Sequence, residues 1–236
     1  MIVSLVVLTT ILVLAIPAAL VLLPFTLVTG KVNPLYATGC FIARLAMRAG
    51  GIRVHVEGRE HVPPDHACIF MANHVSNLDP PALLTNLPGR TSVFIKRSLL
   101  GIPVLGYAFK LAGFIATDRD GRVESAQQSV AQAALVLAGG IHITTFVEGR
   151  RSVDGRLLPF KKGPFYLAMD SSAPCIPVSI YGSEKIIPFG SLSIHPGAMH
   201  IVFHPPLSPA DFATRDELSS AVRAAIASAL PDWMRT

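Results

Sequence analysis

The stretch ACIFMANHVSNLDP, residues 67–80, begins as a short apolar run, passes through polar turn formers and ends at an Asp-Pro pair that suits a helix start. A buried strand that gives way to a helix through polar residues is the junction at which α/β proteins set their sites. The same strand-like character recurs along the chain. It is seen in IRVHVEG at 52–58, TSVFIK at 91–96, FIAT at 114–117, IHITTFV at 141–147, CIPVSIY at 175–181 and MHIVFH at 199–204. Helical patterns fit between several of these runs. The clearest covers Val123 to Ala138 and stops at Gly139 and Gly140, and a capping box of Thr214 and Glu217 precedes a helix from Leu218 to Leu230. The alternation predicts an α/β fold, a largely parallel mixed sheet flanked by helices, over residues 51–236.

Residues 1–50 read differently. The first charged side chain is Lys31, and the 27 uncharged residues from Ile2 to Val28 would make about 40 Å of helix against a hydrocarbon core of roughly 30 Å. Pro17 and Pro24 interrupt this run, so it either spans as one kinked, tilted helix or enters and returns as two short halves. No basic residue precedes the run and no small-x-small cleavage site follows it, which favours a retained membrane helix or helical hairpin over a cleaved leader. The first positive charges, Lys31, Arg44, Arg48 and Arg53, all follow it, and if the run spans once this places the rest of the chain on the cytoplasmic face. A second helix is expected from Leu35 to Gly50. It either lies in the membrane interface with Arg44 and Arg48 toward phosphates, or packs against the main domain with a solvated edge.

Composition narrows the partners. Apolar residues make up 51% of the 236 positions and charged residues only 15%, against roughly 25% charged in ordinary soluble domains. The net charge of +5 favours an anionic partner, and with so much apolar surface that means a membrane or a phosphorylated lipid rather than nucleic acid. Cys40, Cys68 and Cys175 are odd in number and widely spaced, which suits reduced thiols and neither a disulfide frame nor a zinc site. His195, His200 and His204 are loosely metal-like in spacing, yet along a strand His200 and His204 would sit far apart, so no metal site is expected.

Within residues 67–80, His74 and Asp79 are five apart and cannot pair along one helix face. A turn between strand and helix can fold the carboxylate back onto the imidazole, where it would fix the tautomer while the other nitrogen takes a proton. Asp79 before Pro80 is also a good helix cap, the competing structural role. Ser76 is not expected to act as a nucleophile, since no G-x-S-x-G elbow exists in the chain.

NHVSNLD at 73–79 is followed by KRSLLGIPVLG at 96–106, an Asp-Arg after GFIAT, FVEGRRS at 146–152 and IPVSI at 176–180. These ordered blocks resemble the 1-acylglycerol-3-phosphate acyltransferases from about Gly51 to Pro206. The resemblance implies that His74 is a general base and Asp79 its partner. It also implies that Arg119, Glu148, Gly149 and Arg151 belong to the acceptor site. The third block of that family usually reads Phe-Pro-Glu-Gly-Thr-Arg-Ser, so Val147 stands for its proline and Arg150 for its threonine.

Guanidinium groups fork onto phosphate oxygens, so Arg119 and Arg151, with Lys96 and the extra Arg150, are the candidate phosphate holders. Glu148 either positions Arg119 or an acceptor hydroxyl, or is buried in an ion pair. Lys161 and Lys162 either meet an anionic carrier or form a solvated pair. The expected activity is acyl transfer from acyl-CoA or acyl carrier protein, as co-substrate and with no cofactor, to a lysophospholipid at the membrane. Two alternatives are another acceptor, such as glycerol 3-phosphate or a lyso-aminolipid, and a lipid-binding protein without turnover.

Overall fold

The computed structural model describes residues 1–117 and 123–235. The chain opens with α1 (Ile2–Thr29), a single helix that runs through Pro17 and Pro24, so the two-halves alternative is not adopted. Each proline removes one amide donor and leaves the ladder on either side intact. Gly30, at φ 70°, ends the helix in the left-handed region, where glycine carries no Cβ penalty. The chain then returns as α2 (Asn33–Ala49).

α2 lies on the domain. Ile42, Ala46 and Met47 are buried, Arg44 donates to the Thr85 carbonyl at 2.8 Å, and the Thr91 amide donates to the Tyr36 hydroxyl at 3.3 Å. Of the two readings of this helix, packing against the main domain is the one observed, and Arg44 holds a backbone carbonyl. α1 packs along α2 in turn: the Val7 side chain meets Gly50, and Ser4 Oγ accepts the Ile194 amide at 2.9 Å.

The domain itself is built from β1 (Ile52–Glu57), β2 (Ile69–Ala72), α3 (Asp79–Leu84), β3 (Thr91–Lys96), α4 (Leu105–Leu111), β4 (Ile115–Thr117), α5 (Val123–Ala138), β5 (His142–Phe146), α6 (Gly163–Ser171), β6 (Cys175–Tyr181), α7 (Ser183–Ile186), β7 (Gly197–Phe203) and α8 (Arg215–Ala229). All seven strand-like runs of the sequence form strands. They join one sheet in the order β1-β7-β6-β2-β5-β3-β4, parallel throughout except where β7 meets β6. Five strands therefore point the same way and β1 and β7 point back.

Both faces of the sheet are covered, and β2 shows why its sequence is continuously apolar. Ile69 and Met71 pack with α5, α6 and α8 on one side, while Phe70 and Ala72 pack with α2 and α3 on the other. β6 is buried from end to end except at Tyr181, and it contains Pro177. The missing amide of Pro177 costs one rung on the side facing the continuation of β7, where the His204 amide donates to the Pro177 carbonyl at 3.0 Å and Leu207 resumes pairing with Cys175. The predicted capping box on α8 forms, with the Glu217 amide donating to Thr214 Oγ1 at 3.2 Å.

Candidate active site

The five co-directional strands bring their carboxyl ends to one edge, and the chain at the ends of β2, β5, β3 and β6 supplies polar side chains there. β2 delivers Asn73 and His74. Asn73 is locked by its own amide, which donates to the Ile180 carbonyl at 2.8 Å and accepts the Ile180 amide at 2.7 Å, so a side chain continues the β2–β6 ladder by one rung. This holds the backbone of His74 in place as the strand ends.

The turn from 74 to 79 then folds back on itself. Asp79 Oδ2 is 2.8 Å from His74 Nδ1 and accepts the amides of Val75 and Ser76, each also at 2.8 Å. Its other oxygen, Oδ1, accepts the Ser183 hydroxyl at 2.5 Å. Asp79 is the first residue of α3, yet its carboxylate reaches backward into the turn and not forward to cap the helix. It is wholly buried, and four hydrogen bonds leave it one orientation. Ser76, which shares this turn, donates its hydroxyl to the Ile187 carbonyl at 2.9 Å.

With Nδ1 bonded to Asp79, the proton on that nitrogen leaves Nε2 of His74 as the basic lone pair. The ring lies against Phe146 with centroids 4.0 Å apart and planes 22° from parallel, and the side chain is 11% exposed. An imidazole clamped on one nitrogen, stacked on one face and open on the other nitrogen can take a proton from a hydroxyl without moving.

β5 supplies the second part. After Phe146 the chain makes a tight turn: the Gly149 amide donates to the Phe146 carbonyl at 2.9 Å, and Gly149 has φ 70° with the Lys161 stem lying across it. Val147 is buried and donates its amide to the Ala72 carbonyl at 3.0 Å, a bond that a proline at this position lacks. Glu148 Oε1 accepts the His74 amide at 3.3 Å, and its Oε2 is buried without a hydrogen-bond partner among the described residues. Burial, aided by the Asp79 charge, pushes the Glu148 carboxyl from its usual 4.5 up to about 8, although the His74 and Leu158 amides and Arg223 pull the other way. Burial therefore favours the protonated form of Glu148. The ion-pair role expected as one alternative is not found among the described residues.

Arg151 lies over the Phe189 ring at 4.8 Å, and its Nη1 is buried with no partner among the described residues. Its neighbour Ser152 donates its amide to the His74 carbonyl at 2.8 Å, which ties this turn to the first. Arg150 is exposed, and Lys96 stands exposed at the carboxyl end of β3. Arg119 lies outside the described residues. The structure thus joins His74, Asp79 and Glu148 directly, sets Gly149 and Arg151 on the adjoining turn, and leaves Arg150 and Lys96 at the surface of the same edge. Sequence reasoning missed Asn73, Phe146 and Ser183, whose roles depend on partners far along the chain. Of the three histidines weighed as metal ligands, two are engaged elsewhere: His200 stacks between His55 and Tyr181, and His204 Nε2 is 2.7 Å from Ser179 Oγ.

Together these elements form an α/β domain with an imidazole–carboxylate pair at the carboxyl edge of a mainly parallel sheet and, on the adjoining turn, a buried guanidinium nitrogen without a partner among the described residues. The sequence profile of the family described as Acyltransferase matches residues 53–181, and the chain belongs to that acyltransferase family. A 1-acyl-sn-glycerol-3-phosphate acyltransferase of Chlamydomonas reinhardtii is 35% identical over 181 residues, which cover 76% of this chain and 53% of the algal protein. The human 1-acyl-sn-glycerol-3-phosphate acyltransferase alpha is 39% identical over 130 residues, 54% of this chain and 45% of its own length. The chain thus spans about half the length of these two relatives. Among solved structures, the 1-acyl-sn-glycerophosphate acyltransferase PlsC of Thermotoga maritima shares the fold, with a TM-score of 0.82 over 95% of this chain and 92% of that one at 24% identity.

Proposed function

We propose that the protein transfers a fatty acyl group from an acyl-CoA or acyl carrier protein thioester to the free hydroxyl of 1-acylglycerol 3-phosphate, giving phosphatidate. The observation that carries this is the His74–Asp79 geometry, in which one ring nitrogen is held at 2.8 Å and the other is left for an acceptor hydroxyl. The acceptor oxygen attacks the thioester carbonyl as its proton passes to His74 Nε2. The tetrahedral adduct then expels the thiolate, so that one C–O bond forms and one C–S bond breaks, and the proton on His74 goes to the departing sulfur. Asp79 steadies the imidazolium that exists between these steps. The names of the relatives support the lysophosphatidate acceptor.

Arg151 offers its unpaired nitrogen to the acceptor phosphate, with Arg150, Lys96 and Arg119 as further cations. The protonated Glu148 can donate from Oε2 to an acceptor oxygen, a role open only to a carboxyl held neutral. Holding the two substrates in register contributes alongside the base, whose own share is about 10²–10⁴ in rate. His74→Ala is therefore expected to lower lysophosphatidate-dependent thiol release from acyl-CoA at least about 10²-fold. Unchanged release by the folded variant would sink the mechanism.

The membrane part of the reading rests on α1, which is 28 residues long with a mean hydropathy of 2.8 in its most apolar window. Because α1 lies back along α2 and the domain, it is suited to entering lipid from one side with the domain held against the surface. A second acceptor class is favoured by one observation, the exposed Arg150 beside Arg151, an additional cation available to a different head group. An acceptor panel separates the two.

A further inference from the structure

The segment between β3 and the end of α4 is absorbed by neither the fold nor the chemistry described so far. It follows Lys96 at the same strand edge as His74 and Glu148, forming a short 3₁₀ turn at Arg97–Gly101 and then α4. Leu99, Ile102, Val104, Leu105 and Tyr107 are each between 37% and 55% exposed, which makes one of the largest apolar exposures of the molecule outside α1.

The backbone is built to display them. Val104 stands at φ 65° and ψ −58°, a conformation that a β-branched residue rarely adopts. Gly106 lies so close to the preceding turn that a Cβ would come within 2.2 Å of the Leu100 carbonyl oxygen. Its amide donates to Ile102 at 2.8 Å, and the Ala108 amide donates to Val104 at 2.9 Å.

Charge and position say what they meet. No acidic residue lies between Asp79 and Asp118, whereas Arg90, Lys96, Arg97 and Lys110 all fall there. β2, β3 and β4 succeed one another toward the same side of the sheet, apart from the intervening β5, so right-handed crossovers bring α4 to the face that carries α3. That face is also the one against which α2, and α1 outside it, are packed. An apolar knuckle that directly follows Lys96 and Arg97 at the carboxyl end of β3, on the same face as the long apolar helix, matches an anionic bilayer surface.

We propose that residues 99–107 form a second membrane-inserting element, separate from α1, which seats the rim of the candidate active site in the headgroup region of an anionic bilayer. α1 then acts as one contact and the knuckle as another, and two contacts fix the tilt of the domain where one leaves it free. The proposal rests on the membrane reading of α1 given above, and its test separates the two.

The full chain, carrying Cys40→Ser, receives an environment-sensitive fluorophore on Ile102→Cys, and a parallel preparation receives it on Leu20→Cys in α1. Cys68 and Cys175 are buried, which leaves the introduced thiol as the labelled one. Both are reconstituted with phosphatidylcholine–phosphatidylglycerol vesicles bearing a spin-labelled lipid. The expected result is a blue shift and a fluorescence more than halved by the lipid-borne quencher at both positions. Quenching at Leu20→Cys with Ile102→Cys still open to aqueous iodide overturns the proposal and spares the membrane reading. Loss at both positions overturns both. Shielding of Ile102→Cys only after acyl carrier protein is added assigns the patch to a protein partner and also overturns it.

Discussion

Ser183 reaches Asp79 across 104 positions of sequence, and its hydroxyl is the only hydrogen bond on Oδ1 among the described residues. Removing it frees one carboxylate oxygen while the two turn amides still hold the other, so the effect falls on orientation rather than on folding. Ser183→Ala is expected to lower kcat about tenfold with little change in KM, to shift the pH–rate profile, and to be partly rescued by Ser183→Thr. A variant with wild-type kcat would show that the two amides suffice. Glu148 acts at the same scale through its proton. Its carboxyl binds a proton more tightly folded than unfolded, so its contribution to stability is fully present below about 4.5 and is lost as the pH rises toward about 8. Glu148→Gln removes that dependence. Thermal unfolding followed from pH 4 to 9 should show the variant gaining on the wild type as the pH rises, and parallel curves would refute the assignment.

At the level of elements, the site is a product of two strand-to-turn junctions that happen to be neighbours. β2 and β5 pair in parallel, and the pairing is carried one residue further by the Val147 amide on the Ala72 carbonyl, immediately before His74 and Glu148 leave the sheet. This explains the departure from the family's usual block, where proline occupies the position of Val147: here the residue is used as a donor. Val147→Pro is expected to destabilise the protein by about 1–3 kcal/mol, since the Ala72 carbonyl is left unpaired in the core. Chemical denaturation measures this, and a gain in stability would mean that the backbone bond is dispensable. The strands and the helices Val123–Ala138 and Arg215–Ala229 were legible because their apolar spacing and caps are local. The backward reach of Asp79 was legible only as one of two options, because the same Asp-Pro pair also suits a helix cap.

For the molecule as a whole, the question is how the domain meets lipid. The outward face of α1 presents Leu12 and Leu20, 47% and 73% exposed, which touch little of the protein. Leu12→Lys with Leu20→Lys should therefore leave the thermal transition within about 1 kcal/mol of the parent in stability while removing flotation with liposomes. Flotation at the parental level would place the principal contact elsewhere.

Much of this protein is legible along the chain. Alternating strand and helix patterns, the apolar N-terminal run, the basic balance and the ordered blocks around His74, Glu148 and IPVSI all depend on near neighbours, and near neighbours are what a sequence displays. What the folded chain adds is long-range. It shows that α1 stays whole and turns back along α2, that Arg44 serves a backbone carbonyl, and that Asn73, bonded to Ile180 of β6, and Ser183 of α7 brace the His74–Asp79 turn. It also shows Glu148 buried, which pushes its carboxyl upward. Each of these depends on which distant groups burial brings together and on how little water remains between them, quantities set by the packed interior and absent from any local pattern.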